Sequence, residues 1–281
     1  MTPQVQLLMP SSSTARSMPM SLAGVAPVAI AGSAAGPVVE DYLDRLSVVV
    51  PVRNEADNVL PLVEEIHAAL DGRADFELIF VDDGSTDATA QRLAQAQAAF
   101  PRLRVVRHRR SYGQSTAVAS GVRTARHPWI ATLDGDRQND PADLPKLLDA
   151  LRPGRRAPDL AMVIGWRTSR HDSAVRRLSS RIANGVRARL LGDATPDTGC
   201  GLKVFPRELF LRLPFFDHLH RFLPALVQRE GGQVVSVPVS HRARLAGVSK
   251  YGIHNRLWVG IVDLFGVMWL QRRATRPAIE P

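Results

Sequence analysis

Five short apolar runs punctuate this chain, and stretches of helical spacing separate them. The runs are Leu46–Val50, Phe76–Val81, Leu103–Val106, Trp129–Leu133 and Leu160–Ile164. Each has strand length and several are rich in β-branched residues. Between the first two, Val59, Leu60, Val63, Ile66 and Leu70 recur at helical spacing. Leu93 lies in an Ala/Gln-rich helix that stops at Phe100-Pro101. Residues 115–126 read as helical, and Leu144, Leu147, Leu148 and Leu151 mark another helix. Strands joined through helices return in the same direction, so the pattern predicts βαβ units and a mostly parallel sheet. The expected class is α/β.

Three of these runs end in polar, acid-bearing turns. Val50-Pro51-Val52-Arg53-Asn54-Glu55 leaves the first, Asp82-Asp83-Gly84-Ser85-Thr86-Asp87 the second, and Asp134-Gly135-Asp136-Arg137-Gln138 the fourth. In a parallel sheet these ends share one edge, where open α/β sheets bind ligands. Residues two apart on a strand point the same way. Asp134 and Asp136 therefore aim two carboxylates at one point, an arrangement that repels unless a divalent cation sits between them. Oxygen donors favour a hard ion, Mg²⁺ or Mn²⁺, of the kind that bridges to phosphates. One such turn alone is more often a plain polar turn. Three along one edge point to a site.

Cys200 is the only cysteine among 281 residues, so an intramolecular disulfide and a cysteine-built zinc site are excluded. The net charge of +9 suggests anionic partners. Aromatic residues are few, no basic stretch interleaves with them, and no zinc-finger, RNA-recognition or basic-zipper pattern is present. Nucleic acid thus falls behind an anionic membrane surface and phosphorylated substrates. Residues 1–41 read as a disordered tail, rich in Ser, Pro, Ala and Gly as far as Gly36. Pro27 breaks its one apolar stretch, and Arg16 is its only early charge, which disfavours a secretory signal. A domain over 42–252 and a C-terminal segment over 253–281 complete the expected organisation.

After Gly165 the chain turns basic. Arg167, Arg170, Arg176, Arg177, Arg181, Arg187 and Arg189 crowd a stretch whose only acid is Asp172. Val175, Leu178, Ile182, Val186 and Leu190 keep helical spacing within it, which predicts an amphipathic helix with a cationic face. The last apolar element, Leu257–Leu270, is shorter than the roughly 20 residues a spanning helix needs. Trp258 and Trp269 sit near its ends, flanked by Arg256, Arg272 and Arg273, as in helices that lie in the headgroup layer. A helix packed on the domain, or an oligomer contact, fits equally well, and both readings stay open.

Four stretches carry a family resemblance: Val-Val-Val-Pro-Val-Arg-Asn-Glu (48–55), Val-Asp-Asp-Gly-Ser-Thr-Asp (81–87), Leu-Asp-Gly-Asp-Arg-Gln-Asn-Asp-Pro (133–141) and Arg-Leu-Ala-Gly-Val-Ser-Lys-Tyr (244–251). Over about Leu46 to Tyr251 the chain resembles glycosyltransferase family 2, in its dolichol-phosphate mannosyltransferase-like, polyprenyl-phosphate branch. The resemblance implies a single Rossmann-like GT-A domain of the nucleotide-diphospho-sugar transferase kind. By resemblance, Pro51, Val52, Glu55, Asp82 and Asp83 line the nucleotide pocket, with one Asp of the pair reaching the base. Asp134 faces the nucleotide-sugar, and Asp136 and Gln138, with Asp134, hold Mg²⁺ or Mn²⁺ together with the diphosphate. Arg244 meets the diphosphate, with Ser249 and Lys250 close by. On the acceptor side, Arg167, Arg176 and Ser180 match best the residues that hold a lipid phosphate.

The implied function is an inverting transfer of a hexose from a GDP- or UDP-sugar to undecaprenyl or dolichyl phosphate. The implied place is the inner face of the cytoplasmic membrane, where the protein is peripheral or has an oligomeric or membrane-protein partner. A phosphate acceptor, largely dianionic near neutrality, needs no general base, whereas a sugar hydroxyl does. Asp197, in Asp197-Thr198-Gly199-Cys200-Gly201-Leu202-Lys203, is the candidate for positioning or as a base. Cys200 stands where some relatives carry an acid, and reads as a small packed residue. His218 and His220 could be metal ligands or surface groups, and they read as the second. The rival readings are a family 2 enzyme with a saccharide or other soluble acceptor, and a non-catalytic nucleotide-sugar-binding or membrane scaffold protein.

Overall fold

The computed structural model describes residues 45–152, 157–168, 185–193, 195–243 and 253–273, with side chains in the last segment from 259 onward. All five anticipated strands form: β1 (Arg45–Val52), β2 (Asp75–Asp82), β3 (Leu103–Arg107), β4 (Trp129–Thr132) and β5 (Leu160–Arg167). Two more join them, β6 (Lys203–Pro206) and β7 (Gln233–Val239). The seven strands form one sheet in the order β3-β2-β1-β4-β6-β5-β7. Strand β1 runs parallel to β2 and β4, β2 parallel to β3, and β5 parallel to β7. Only β6 is antiparallel, lying between β4 and β5. The sheet is thus mixed but mostly parallel.

Crossover helices α1 (Ala56–Leu70), α2 (Thr89–Ala99) and α3 (Gln114–Thr124) link the first four strands. Helix α4 (Leu144–Asp149) follows a short turn of 3-10 helix at Pro141–Asp143, and α5 covers 185–191. Helices α6 (Arg207–Arg212), α7 (Leu223–Arg229) and α8 (Ile253–Arg272) complete the order. The central strands are apolar almost throughout because helices cover both faces of the sheet. Val48, Val49, Leu78, Ile79 and Ile130 are fully buried. Helix α1 buries Val59, Leu62, Val63, Ile66 and Leu70. Leu60, grouped with that face by spacing, points to solvent instead.

The C-terminal apolar stretch is a helix with two characters. On α8, Val267 is buried, and Leu264, Met268 and Leu270 pack on the core. Val262, Phe265 and Trp269 face outward and are more than half exposed. Among the described residues no helix is long and apolar enough to cross a membrane. The expected tail 1–41, most of the cationic helix including Arg176 and Ser180, and Arg244, Ser249 and Lys250 lie outside the described residues.

Candidate active site

Parallel pairing brings the ends of β1, β2 and β4 to one edge, so the three acid-bearing turns adjoin. Strand β4 stops at Thr132, whose hydroxyl donates to the Gly201 carbonyl at 2.7 Å. The following turn carries Asp134 and Asp136. Gln114 Nε2, from the start of α3, donates to Asp134 Oδ1 at 2.8 Å, and the Asp134 N–H donates to Asn139 Oδ1 at 3.3 Å. Two glycines make room for this turn. A Cβ on Gly201 would lie 2.3 Å from Asp134 Oδ2, and one on Gly135 would lie 2.6 Å from Val52 Cγ1. Asp136 Oδ1 accepts from the Gln138 N–H at 3.2 Å.

Burial raises the pKa of Asp134, and the Asp136 carboxylate raises it further. The two acids therefore repel, as their spacing predicts. Among the described residues no group of three or more His, Cys, Asp or Glu converges into a ready-made metal cage. The donors at hand are two carboxylates and the Gln138 side chain, all offering oxygen. Such an open, hard set fits Mg²⁺ or Mn²⁺ with phosphate oxygens completing the shell.

Beside Asp134 lies a cavity of about 180 Å³, lined among others by Pro51, Gln114, Lys203, His220 and Arg221. His220 corrects an expectation: it is no surface group. Its Nδ1 lies 2.7 Å from Ser115 Oγ, which also accepts the His220 N–H at 3.2 Å. Burial, then Lys203 and Arg221, hold its pKa well below the ordinary imidazole value, so the ring is neutral near pH 7. Lys203 is buried at the start of β6, its ammonium on the Cys200 carbonyl and its pKa lowered by burial. His218 pairs with Asp263 of α8 at 3.0 Å.

At the C-terminal end of β2, where the resemblance implies the nucleotide pocket, Asp82 and the following Asp83 are both engaged within the protein. Asp82 Oδ1 accepts the Ser85 N–H at 2.8 Å, and Arg107 Nε stands 3.3 Å from its Oδ2. Asp83 accepts from Ser111 Oγ at 2.6 Å, from the N–H groups of Tyr112 and Gly113 at 2.8 and 2.9 Å, and adjoins His108 Nδ1 at 2.8 Å. Burial would raise its pKa, yet these donors hold it below the usual carboxylate value. Asp83 thus organises the 108–113 loop, a role the resemblance did not imply. Glu55 accepts from Asn58 Nδ2 at 2.7 Å, and Val52 is buried against Gly135. Next to this edge is a basic hollow of about 520 Å³ that Arg53, Ser85, Thr86, Arg107, Arg109 and Arg110 help to line.

Arg167, expected at the acceptor phosphate, and Asp197, expected to position the acceptor or act as a base, are brought together. Arg167 and Asp197 form a bidentate ion pair, Nε to Oδ2 at 2.7 Å and Nη2 to Oδ1 at 2.9 Å. Burial alone would lower the guanidinium pKa, but Asp197 raises it overall. Arg187 binds the same segment through Thr198 Oγ1 and the Thr195 carbonyl, and stands 3.3 Å from Asp193. Cys200 is fully buried, receives Asn139 Nδ2 at 3.7 Å, and has its thiol pKa pushed up by burial.

Comparisons with known proteins agree with this geometry. The family model described as glycosyl transferase family 2 matches residues 47–213. Dodecaprenyl-phosphate galacturonate synthase from Rhizobium johnstonii is 41% identical over 241 residues, covering 83% of this chain and 69% of the relative. Undecaprenyl-phosphate 4-deoxy-4-formamido-L-arabinose transferase from Edwardsiella ictaluri is 34% identical over 210 residues, covering 74% and 63%. The chain thus spans about two thirds of the length of these relatives. Among solved structures, glucosyl-3-phosphoglycerate synthase from Mycobacterium tuberculosis, in complex with Mn²⁺, UDP-glucose and glycerol 3-phosphate, superposes with a TM-score of 0.60 at 21% identity, over 81% of this chain and 80% of that one. A mannosyltransferase from Pyrobaculum calidifontis, in complex with GDP-mannose and Mn²⁺, gives 0.59 at 23% identity, over 83% and 66%. Both share the fold. With its acid-bearing strand ends on one sheet edge and more than half its length matched by the family model, this chain belongs to glycosyl transferase family 2.

Proposed function

We propose that this chain is a metal-dependent, inverting transferase that moves a sugar from a nucleotide-diphosphate donor to a polyprenyl phosphate. One observation carries the acceptor assignment: the candidate base is engaged elsewhere. Asp197 is locked in a two-bond ion pair with Arg167, and the Cys200 thiol is buried and harder to ionise than usual. Asp134 and Asp136 belong to the metal turn. A hydroxyl acceptor would need a base close to its attacking oxygen. A phosphate monoester brings its own nucleophilic oxygen, already ionised near neutrality. Polyprenyl phosphates are also the acceptors named in the relatives above.

The donor side follows from charge. Asp136, Gln138 and Asp134 would hold Mg²⁺ or Mn²⁺ at the diphosphate. Such an ion neutralises the negative charge that develops on the leaving group. Gln114 holds the Asp134 carboxylate beside the cavity, and Asn139 holds the Asp134 backbone N–H. The neutral His220, with Lys203 and Arg221, gives that cavity a donor-rich wall. This lining suits a sugar with an anionic or strongly accepting substituent, such as the uronate in the name of the 41% identical relative. Residues 42–252 form the catalytic domain in this reading. Arg244, Ser249 and Lys250 serve the diphosphate, and Arg176 and Ser180 the acceptor phosphate. The exposed face of α8 and the net charge of +9 support peripheral binding to an anionic membrane at its inner, cytoplasmic face.

The substitution Asp197→Asn tests the acceptor assignment. Loss of a general base lowers turnover by about 10²- to 10⁴-fold. In the proposed reading the variant keeps a maximal rate within about tenfold of the parent at saturating polyprenyl phosphate. Its defect lies in KM, through the displaced Arg167. A thousandfold fall in kcat with KM unchanged would overturn it.

A further inference from the structure

The metal turn contains a backbone conformation that its own sequence disfavours. Arg137, between Asp136 and Gln138, has a φ of +60°, in the left-handed region where a side chain crowds the backbone. Such residues persist where their surroundings over-determine them. Here the surroundings converge on one side chain of α1. Glu65 Oε1 receives the guanidinium of Arg137, and Glu65 Oε2 receives Arg242 Nη1 at 2.7 Å. Arg242 also reaches forward: its Nη2 lies 2.7 Å from Asp140 Oδ1, and its N–H donates to the Gln138 carbonyl at 3.0 Å. A backbone bridge pairs Asn139 with His241 just beside this contact. One carboxylate thus holds two guanidiniums, one inside the 134–140 turn and one in the segment laid along it. Burial would raise the pKa of Glu65, but the two arginines lower it below the ordinary value.

From this geometry we infer that Glu65 is a positioning residue for the metal site. Through Arg137, with Arg242 steadying its carboxylate, it holds the turn in the shape that presents Asp136 and Gln138 to one cation. The inference rests on the metal reading of those two residues. Glu65 touches neither substrate nor metal itself. Its action is to keep Arg137 at a positive φ, from which the flanking side chains keep their directions. Without that anchor the turn relaxes toward ordinary φ values and the two oxygen donors separate. Glycine adopts a positive φ without strain. Arg137→Gly therefore removes the need for the anchor while leaving the turn its shape.

The test uses the full chain with UDP as the diphosphate probe, and follows free Mn²⁺ by electron paramagnetic resonance. Parent, Glu65→Gln, Arg137→Gly and the double variant are compared, with melting temperatures recorded without metal. Glu65→Gln weakens Mn²⁺ binding tenfold or more. Arg137→Gly stays within about threefold of the parent, and the double variant recovers to that level. Parent-like Mn²⁺ affinity in Glu65→Gln would overturn the inference. So would a double variant as weak as Glu65→Gln, or losses of affinity that only track losses in melting temperature. A parent chain that binds no Mn²⁺ with UDP would overturn the metal reading itself, which separates that failure from failure of the Glu65 role.

Discussion

At the scale of single residues, the site depends on what small side chains leave open. Gly201 lets Asp134 approach the β6 entry, since a Cβ there would stand 2.3 Å from Asp134 Oδ2. Gln114 on the carboxylate and Asn139 on the backbone N–H leave Asp134 little freedom to retreat. Gly201→Ala should lower transfer by about a hundredfold, the usual consequence of an ångström-scale misplacement at a reacting centre. Its melting temperature should fall by only a few degrees, and an active variant would contradict this geometry.

A second residue tests the electrostatics of the core. Glu77 is buried on β2, where desolvation alone would raise its pKa. The ion pair with Arg104 at 2.8 Å, the Arg126 N–H at 2.6 Å and the Ser47 hydroxyl at 2.7 Å lower it instead. A depressed carboxylate stabilises the fold above its unfolded pKa, and the contribution fades as pH falls through the folded value. Glu77→Gln should therefore cost about 2 kcal/mol at pH 7. The difference from the parent should shrink steadily below pH 4 in urea melts, and a pH-independent difference would contradict the ion-pair account.

Elements were unequally legible in the sequence. Strands β1, β2, β4 and β5 announced themselves because a strand covered on both faces must be apolar almost without a break, whereas β3, half-exposed at the sheet margin, showed as a short run around Val105 and Val106. Strand β6 escaped because four residues, Lys203–Pro206, are too few to show a period. Strand β7 lies at the sheet margin and alternates half-exposed residues, with Pro238 near its end. The Asp134/Asp136 turn was legible because its acids are neighbours in sequence. His220 with Ser115, and Arg242 with Glu65, were not, since 105 and 177 residues separate the partners. No local pattern encodes such pairs. The same division explains α8, whose composition suited both a membrane surface and a packed helix. The structure packs one face of it on the core and leaves Val262, Phe265 and Trp269 exposed on the other. Phe265→Asp combined with Trp269→Asp should weaken binding to anionic liposomes at least tenfold without changing the melting temperature. Val267→Asp, on the buried face, should destabilise the protein instead. Unaltered liposome binding by the first variant would rule out the outer face of α8 as the contact.

At the scale of the whole molecule, the proposed function has a chain of net charge +9 bring an anionic donor and an anionic acceptor together. Liposome binding driven by that charge should weaken steeply between low and physiological salt, because exposed charges are screened over about 10 Å at 0.1 M. Salt-insensitive binding would assign the contact to α8 alone. The central claim is that the acceptor supplies its own ionised oxygen. The most direct test offers the purified protein undecaprenyl phosphate and the matching free alcohol, undecaprenol. Mn²⁺ and a panel of nucleotide sugars including a uronate are supplied to both, and the products are read by mass spectrometry. The account predicts a metal-dependent glycolipid from the phosphate and none from the alcohol. Comparable products from both, or glycosylation of a soluble saccharide in preference to the phosphate, would contradict it.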